Sequence, residues 1–203
     1  MATFLSRIFG LVREQVFAAF FGASLASDAF QIAFRIPNLL RDLFAEGAMS
    51  AALVPTWVET SQKEGDRRAW RLAGLVFRVL FVAVGIFAIF GILTASHWVA
   101  IYAPGFKDRP EQFALTVQLT QVMFPFFPLV AVAAAFMAVL NANHVYFWPA
   151  FASALFNVAS VVVGVACVYL APHFGFEPIV GMAIGVVVGG AVQALSQIPS
   201  LRR

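Results

Sequence analysis

The sequence predicts an all-α, polytopic transmembrane helical bundle of about six spans. Hydrophobic residues make up 62% of the 203 positions and charged residues only 11%, whereas about a quarter of a soluble domain is charged. The apolar residues gather in runs near or above the length of about 20 residues that crosses the hydrocarbon. Charges inside two of those runs recur at helical spacing.

The spans follow one another at roughly residues 2–21, 25–57, 69–102, 111–141, 149–171 and 178–199. The first holds Arg7 and Arg13 within its apolar stretch and is followed by further spans, as expected of a transmembrane helix rather than a cleaved signal peptide. The breaks carry turn chemistry: Gly22-Ala23-Ser24, the polar run Glu59 to Arg68, Ala103-Pro104-Gly105-Phe106, Asn141-Ala142-Asn143, and Pro172 to Pro178. Pro125 and Pro128 in the fourth span, with Pro149 opening the fifth, mark kinks between packed helices. In the sixth, Gly181, Gly185 and Gly189 share one helix face, which predicts a close static contact with a neighbouring helix.

Lys63, Arg67, Arg68 and Arg71 cluster after the second span, and Arg202-Arg203 follow the sixth. The excess of basic residues puts these loops, and with them the N-terminus, on the cytoplasmic side. Lys and Arg therefore set topology, and no nucleic-acid-binding motif accompanies the net charge of +3. Trp57, Trp98, Trp148 and Tyr102 lie near span ends, as an interfacial belt requires. Cys167, the single cysteine, is expected as a small buried hydrophobe. His97, His144 and His173 lack spacing suited to a metal, and no catalytic constellation is present, so neither a cofactor nor an enzymatic activity is expected.

The second span carries Asp28, Arg35, Arg41, Asp42 and Glu46 around Ile36-Pro37-Asn38-Leu39-Leu40. Each such charge costs roughly 2.5 to 3.5 kcal/mol at a helix centre, and each Leu, Ile, Phe or Val returns only about 0.3 to 0.6. The segment cannot simply face lipid. On a continuous helix Asp28, Arg35, Asp42 and Glu46 fall within roughly 40° of one another, with Gln31 and Asn38 beside them, and the stripe extends about 27 Å. Arg41 lies off the stripe, in a direction that Pro37 can change. Span one adds Arg7, Gly10 and Glu14 on one face and Arg13 on its flank. These charges either pair between the helices and hold them together, or line a polar cavity. We favour the cavity, because several planar, permanently charged guanidinium groups suit a phosphate or diphosphate ligand.

The runs Ser6-Arg7-Ile8-Phe9-Gly10-Leu11-Val12-Arg13-Glu14, Ser27-Asp28-Ala29-Phe30, Phe34-Arg35-Ile36-Pro37-Asn38-Leu39-Leu40-Arg41 and Leu43-Phe44-Ala45-Glu46-Gly47-Ala48 closely resemble the start of the MurJ (MviN) lipid II flippases. The likeness continues through Ala103-Pro104-Gly105-Phe106, Phe124-Pro125, Leu140-Asn141 and Pro149-Ala150-Phe151-Ala152 to Asn157. The resemblance implies one lobe of a two-lobed exporter of the multidrug/oligosaccharidyl-lipid/polysaccharide superfamily, here a single transmembrane domain over 1–203. Such a protein moves the undecaprenyl-diphosphate-linked peptidoglycan precursor across the bacterial cytoplasmic membrane by alternating access.

By the same resemblance, Arg7, Arg13, Arg41 and Asn38 are the expected substrate-binding residues. Glu14, Asp28, Arg35, Asp42, Glu46 and Asn157 are those expected at the cavity or its gate. Where this chain has Glu14, Asp42 and Ser153, the family usually has Asp, often a second basic residue and often Pro. The second change makes the cavity rim less positive, and the third removes a reason for a kink in span five. The expected partners are lipid II, membrane lipids and a second, C-terminal lobe in cis or in trans. The other readings are a related exporter of polysaccharide-linked lipids or drugs, and a non-transporting scaffold whose charges are only ion pairs.

Overall fold

A computed structural model describes residues 2–42 and 49–201, which are helical apart from short connections and contain no strand. The helices are α1 (Ala2–Phe21), α2 (Leu25–Arg41), α3 (Met49–Glu64), α4 (Asp66–Leu93), α5 (Ala95–Tyr102), α6 (Pro110–Met123), α7 (Phe126–Ala142), α8 (Phe147–Leu170), α9 (Ile179–Leu195) and α10 (Ile198–Leu201). Two 3-10 turns, Pro104–Asp108 and Ala171–Phe174, complete the connections.

Among the described residues, four stretches are long and apolar enough to cross a membrane: Asp66–Leu93, Pro110–Ala142, Phe147–Phe174 and Ile179–Leu201. They correspond to the third to sixth expected spans. The first two expected spans fall short for a physical reason. Within its 20 residues α1 carries Arg7, Arg13 and Glu14, and α2 has only 17 residues with Asp28, Arg35 and Arg41 among them.

The second expected span is described as α2 and α3, with residues 43–48 between them outside the described part. Two boundaries differ from the expectation. The polar run Glu59 to Arg68 is helical on both sides of Gly65, whose φ of 84° places the bend between α3 and α4. Thr94 divides the third span, while the fourth breaks at Pro125, which has no N–H to continue the helical ladder. The expected turn at Gly22 is present, and Ser24 caps α2 by accepting a hydrogen bond from the Ser27 N–H at 3.2 Å.

The packing order sets where a site can form. α1 lies along α8, α8 along α9, α9 along α7 and α7 along α4, while α2 packs on α6. The α8–α9 contact is the closest. A Cβ at Gly181 would strike the Cys167–Val168 backbone, and one at Gly185 would lie 2.6 Å from Gly164 Cα. One at Gly189 would reach within 2.8 Å of the Phe156 carbonyl. The glycine face therefore serves the expected close packing of α9 on α8.

Cys167 is half-buried, its backbone against Gly181. Trp57 departs from its expected place in an interfacial belt: it is buried among Leu53, Ala69, Ala73 and Val139, with its ring 4.7 Å from that of Trp70. The small residues of α4 and α7 admit the indole here. Proximity to a span end did not determine its depth.

Candidate functional site

The described part of α2 is amphipathic in the expected sense. Ser27, Ala29, Phe30, Ala33, Ile36 and Pro37 are buried, whereas Asp28, Gln31, Arg35 and Asp42 are not covered by the chain's own atoms. The polar stripe therefore points away from the α6 contact. α1 meets α2 through rings rather than along its length: Phe17 lies 4.6 Å from Phe30, centroid to centroid. Because α1 follows α8 while α2 follows α6, a space opens between the two charged helices.

That space holds two cavities. The larger, about 560 Å³, is lined by Arg13 and Glu14 from α1, Gln31 and Arg35 from α2, and Ser160, Met182 and Val186 from α8 and α9. Phe17, Phe30 and Phe34 supply apolar wall. The second, about 360 Å³, gathers Arg13, Asn38, Ser153, Asn157 and Gln193 against Gly10, Phe34, Phe126 and Phe156.

Arg13 lines both cavities. Its guanidinium carbon lies 5.6 Å from the ring centroids of Phe34 and of Phe156, within the range of cation–π attraction. These two rings each pack on Phe126, at 5.9 and 5.6 Å. A half-buried cation is thus fixed by aromatic faces at the junction of the cavities.

The carboxamides around it are ordered by α8. The Asn157 side chain donates to the Ser153 carbonyl at 3.2 Å, and Gln193 donates to Ser153 Oγ at 3.5 Å. Helix α8 runs unbroken from Phe147 to Leu170, and Ser153, where the family often has Pro, donates its hydroxyl to the Pro149 carbonyl at 3.4 Å. Two buried acceptors in these cavities, Asn38 Oδ1 and Ser160 Oγ, have no hydrogen-bond partner among the described residues. A ligand or water donor could occupy either position.

The expected site residues are thus partly brought together. Arg13, Glu14, Arg35, Asn38 and Asn157 line the cavities. Arg7, Asp28 and Asp42 are exposed and lie outside both linings. The side chain of Arg41, and all of Glu46, lie outside the described residues. Sequence reasoning weighted the charged positions and so missed Gln193 and Ser160. Their signal was a polar residue within an otherwise apolar span.

The family model described as "Lipid II flippase MurJ" matches residues 17–203. The lipid II flippase MurJ of Burkholderia cenocepacia is 40% identical over 201 residues, covering 99% of this chain and 38% of that protein. A Rhizobium tropici protein named "Probable lipid II flippase MurJ" is 38% identical over 196 residues, covering 95% of this chain and 36% of its own length. Among solved structures, "Lipid II flippase MurJ, inward closed conformation" superposes with a TM-score of 0.78 at 30% identity, over 98% of this chain and 40% of that one. The chain spans about two-fifths of the length of the relatives it matches. With the family model matched over most of its length and the same helical arrangement in a solved relative, this chain belongs to the lipid II flippase MurJ family, a family of membrane proteins.

Proposed function

We propose that this chain forms the N-terminal, single-domain lobe of a lipid II flippase. It takes part in moving the undecaprenyl-diphosphate-linked precursor across the bacterial cytoplasmic membrane by alternating access, as a transporter rather than an enzyme. Its N-terminus lies in the cytoplasm, and a C-terminal lobe, in cis or in trans, closes the cavity.

The supporting observation is Arg13, held between Phe34 and Phe156 where the two cavities meet. The planar guanidinium carries N–H groups along its edges in a geometry that suits bidentate engagement of phosphate oxygens. Arg35 adds positive charge to the larger cavity, and Glu14 lies in the same lining, positioned to compete with an anion for the arginines. Asn38, Asn157 and Gln193 supply the donors and acceptors that suit hydroxyl and amide groups of a sugar. Arg7 and Arg41 join this set through their match to the family motif.

The test is complementation of flippase-depleted cells by the complete gene product. Arg13→Ala and Arg41→Ala are expected to abolish growth while the protein still accumulates in the membrane, and the isolated lobe is expected to fail. Growth of both variants at the wild-type rate would remove the main support for the reading.

A further inference from the structure

We propose that the arginine face of α4 is a binding site for the head group of an anionic phospholipid. Arg67, Arg71, Gly74 and Arg78 recur at intervals of four, three and four residues. This spacing places all four within about 60° on one helix face, extending about 16 Å from the start of α4 towards the hydrocarbon. The three arginines are exposed.

Between Glu59 and Arg78 the chain holds five basic and three acidic residues. Two of the acids are already engaged, Glu59 by Lys63 at 2.6 Å and Glu64 by Arg68 at 3.0 Å. The third, Asp66, accepts from the Ser61 hydroxyl. Among the described residues, no carboxylate pairs with Arg67, Arg71 or Arg78.

The geometry around Gly74 gathers this charge. Arg78 Nε donates to the Gly74 carbonyl at 3.1 Å, and a Cβ at Gly74 would lie 3.8 Å from an Arg78 guanidinium nitrogen. Arg78 therefore folds back along the helix, over the notch left by the glycine, towards Arg71. Its head then sits within about one helical turn of the height of Arg71, with its remaining N–H groups free for a phosphate diester.

Below Arg78 the same side of α4 leaves Val82, Ile86 and Ile89 uncovered, a surface suited to acyl chains. The occupant is accordingly a lipid, with phosphate above and hydrocarbon below. No residue of α4 belongs to either cavity lining, which is drawn from α1, α2, α8 and α9 with Phe126 of α7. The inference does not depend on what the cavities carry.

The test is native mass spectrometry of the complete gene product in detergent, with phosphatidylglycerol and phosphatidylcholine supplied at equal concentration. Wild type is expected to retain phosphatidylglycerol about tenfold over phosphatidylcholine, in line with a charge-assisted bidentate contact. That preference should vanish in Arg71→Gln/Arg78→Gln. It should also fall in Gly74→Val, which keeps every charge but fills the notch. Millimolar inorganic phosphate should not displace the lipid.

Equal retention of both lipids by wild type would overturn the proposal, and this result is decisive even if the variants fail to fold. So would an unchanged preference in the folded double variant, or displacement by phosphate, which would identify a free-anion site. Loss in the double variant with none in Gly74→Val would mean diffuse charge rather than a seated head group, and would also overturn it.

Discussion

Gly185→Ala gives the most direct measure of the α8–α9 contact. The new Cβ would meet the Ser160 carbonyl oxygen and lie 2.6 Å from Gly164 Cα and 2.7 Å from Gly164 N. Ordinary carbon contacts begin near 3.4 Å, so the helices must part locally by roughly 1 Å, a gap that forfeits a quarter to a half of each affected dispersion contact. Rigid backbone on α8 leaves no side-chain rotation to relieve the clash. Overpacking of this kind costs about 1 to 3 kcal/mol, and about 2 to 4 °C of melting temperature per kcal/mol is typical at this chain length. A fall of about 2 to 12 °C is therefore expected for the chain purified in detergent, followed by loss of the monodisperse peak after heating. Gly85→Ala is the control, since nothing lies within 4 Å of its added Cβ, and it should match or exceed wild type. An unchanged melting temperature for Gly185→Ala would falsify the close-packing account.

Three further outcomes are expected. Ser24→Ala removes the acceptor for the Ser27 N–H at the start of α2 and should lower stability by about 0.5 to 2 kcal/mol, measured by the same thermal scan. Gly65→Ala forces a side chain into φ 84° and ψ 160° between α3 and α4, a region essentially reserved for glycine, and should cost on the order of 1 to 3 kcal/mol; equal stability would refute a strained bend. Arg13→Lys keeps the charge but loses the planar fork between Phe34 and Phe156. Lipid II translocation by the complete gene product in vesicles should fall about tenfold or more, whereas a wild-type rate would mean that charge alone suffices.

Much of the cavity wall was legible because helical periodicity is a local property. Gln31 and Arg35 were placed on one face by counting 100° per residue, and both line the larger cavity, while Asp28 of the same face is exposed outside it. The glycines of α9 were legible for the same reason. The bend at residue 65 was read too broadly: Glu59 to Arg68 is polar, but its Glu, Gln, Lys and Arg residues favour helix, and only Gly65 interrupts it. The burial of Trp57, and the separate packing of α1 on α8 and α2 on α6, depend on contacts between distant segments. Nothing within either helix encodes them. Gln193 and Ser160 were overlooked because a single uncharged polar residue barely alters the hydropathy of a span, yet both line the cavities.

The glycine contacts between α8 and α9 also divide the site mechanically. Ser160, Met182 and Val186 belong to two helices in backbone-to-backbone contact, so this floor of the larger cavity resists deformation. The opposite side consists of α1 and α2, which meet through aromatic rings and the Arg13 head rather than through interlocked backbone. One wall is interlocked backbone to backbone, and the other is joined across the cavity by side chains alone. Any change in the volume offered to a ligand must then come from displacement of the two helices that carry the charges, which couples the shape of the cavity directly to its electrostatic field.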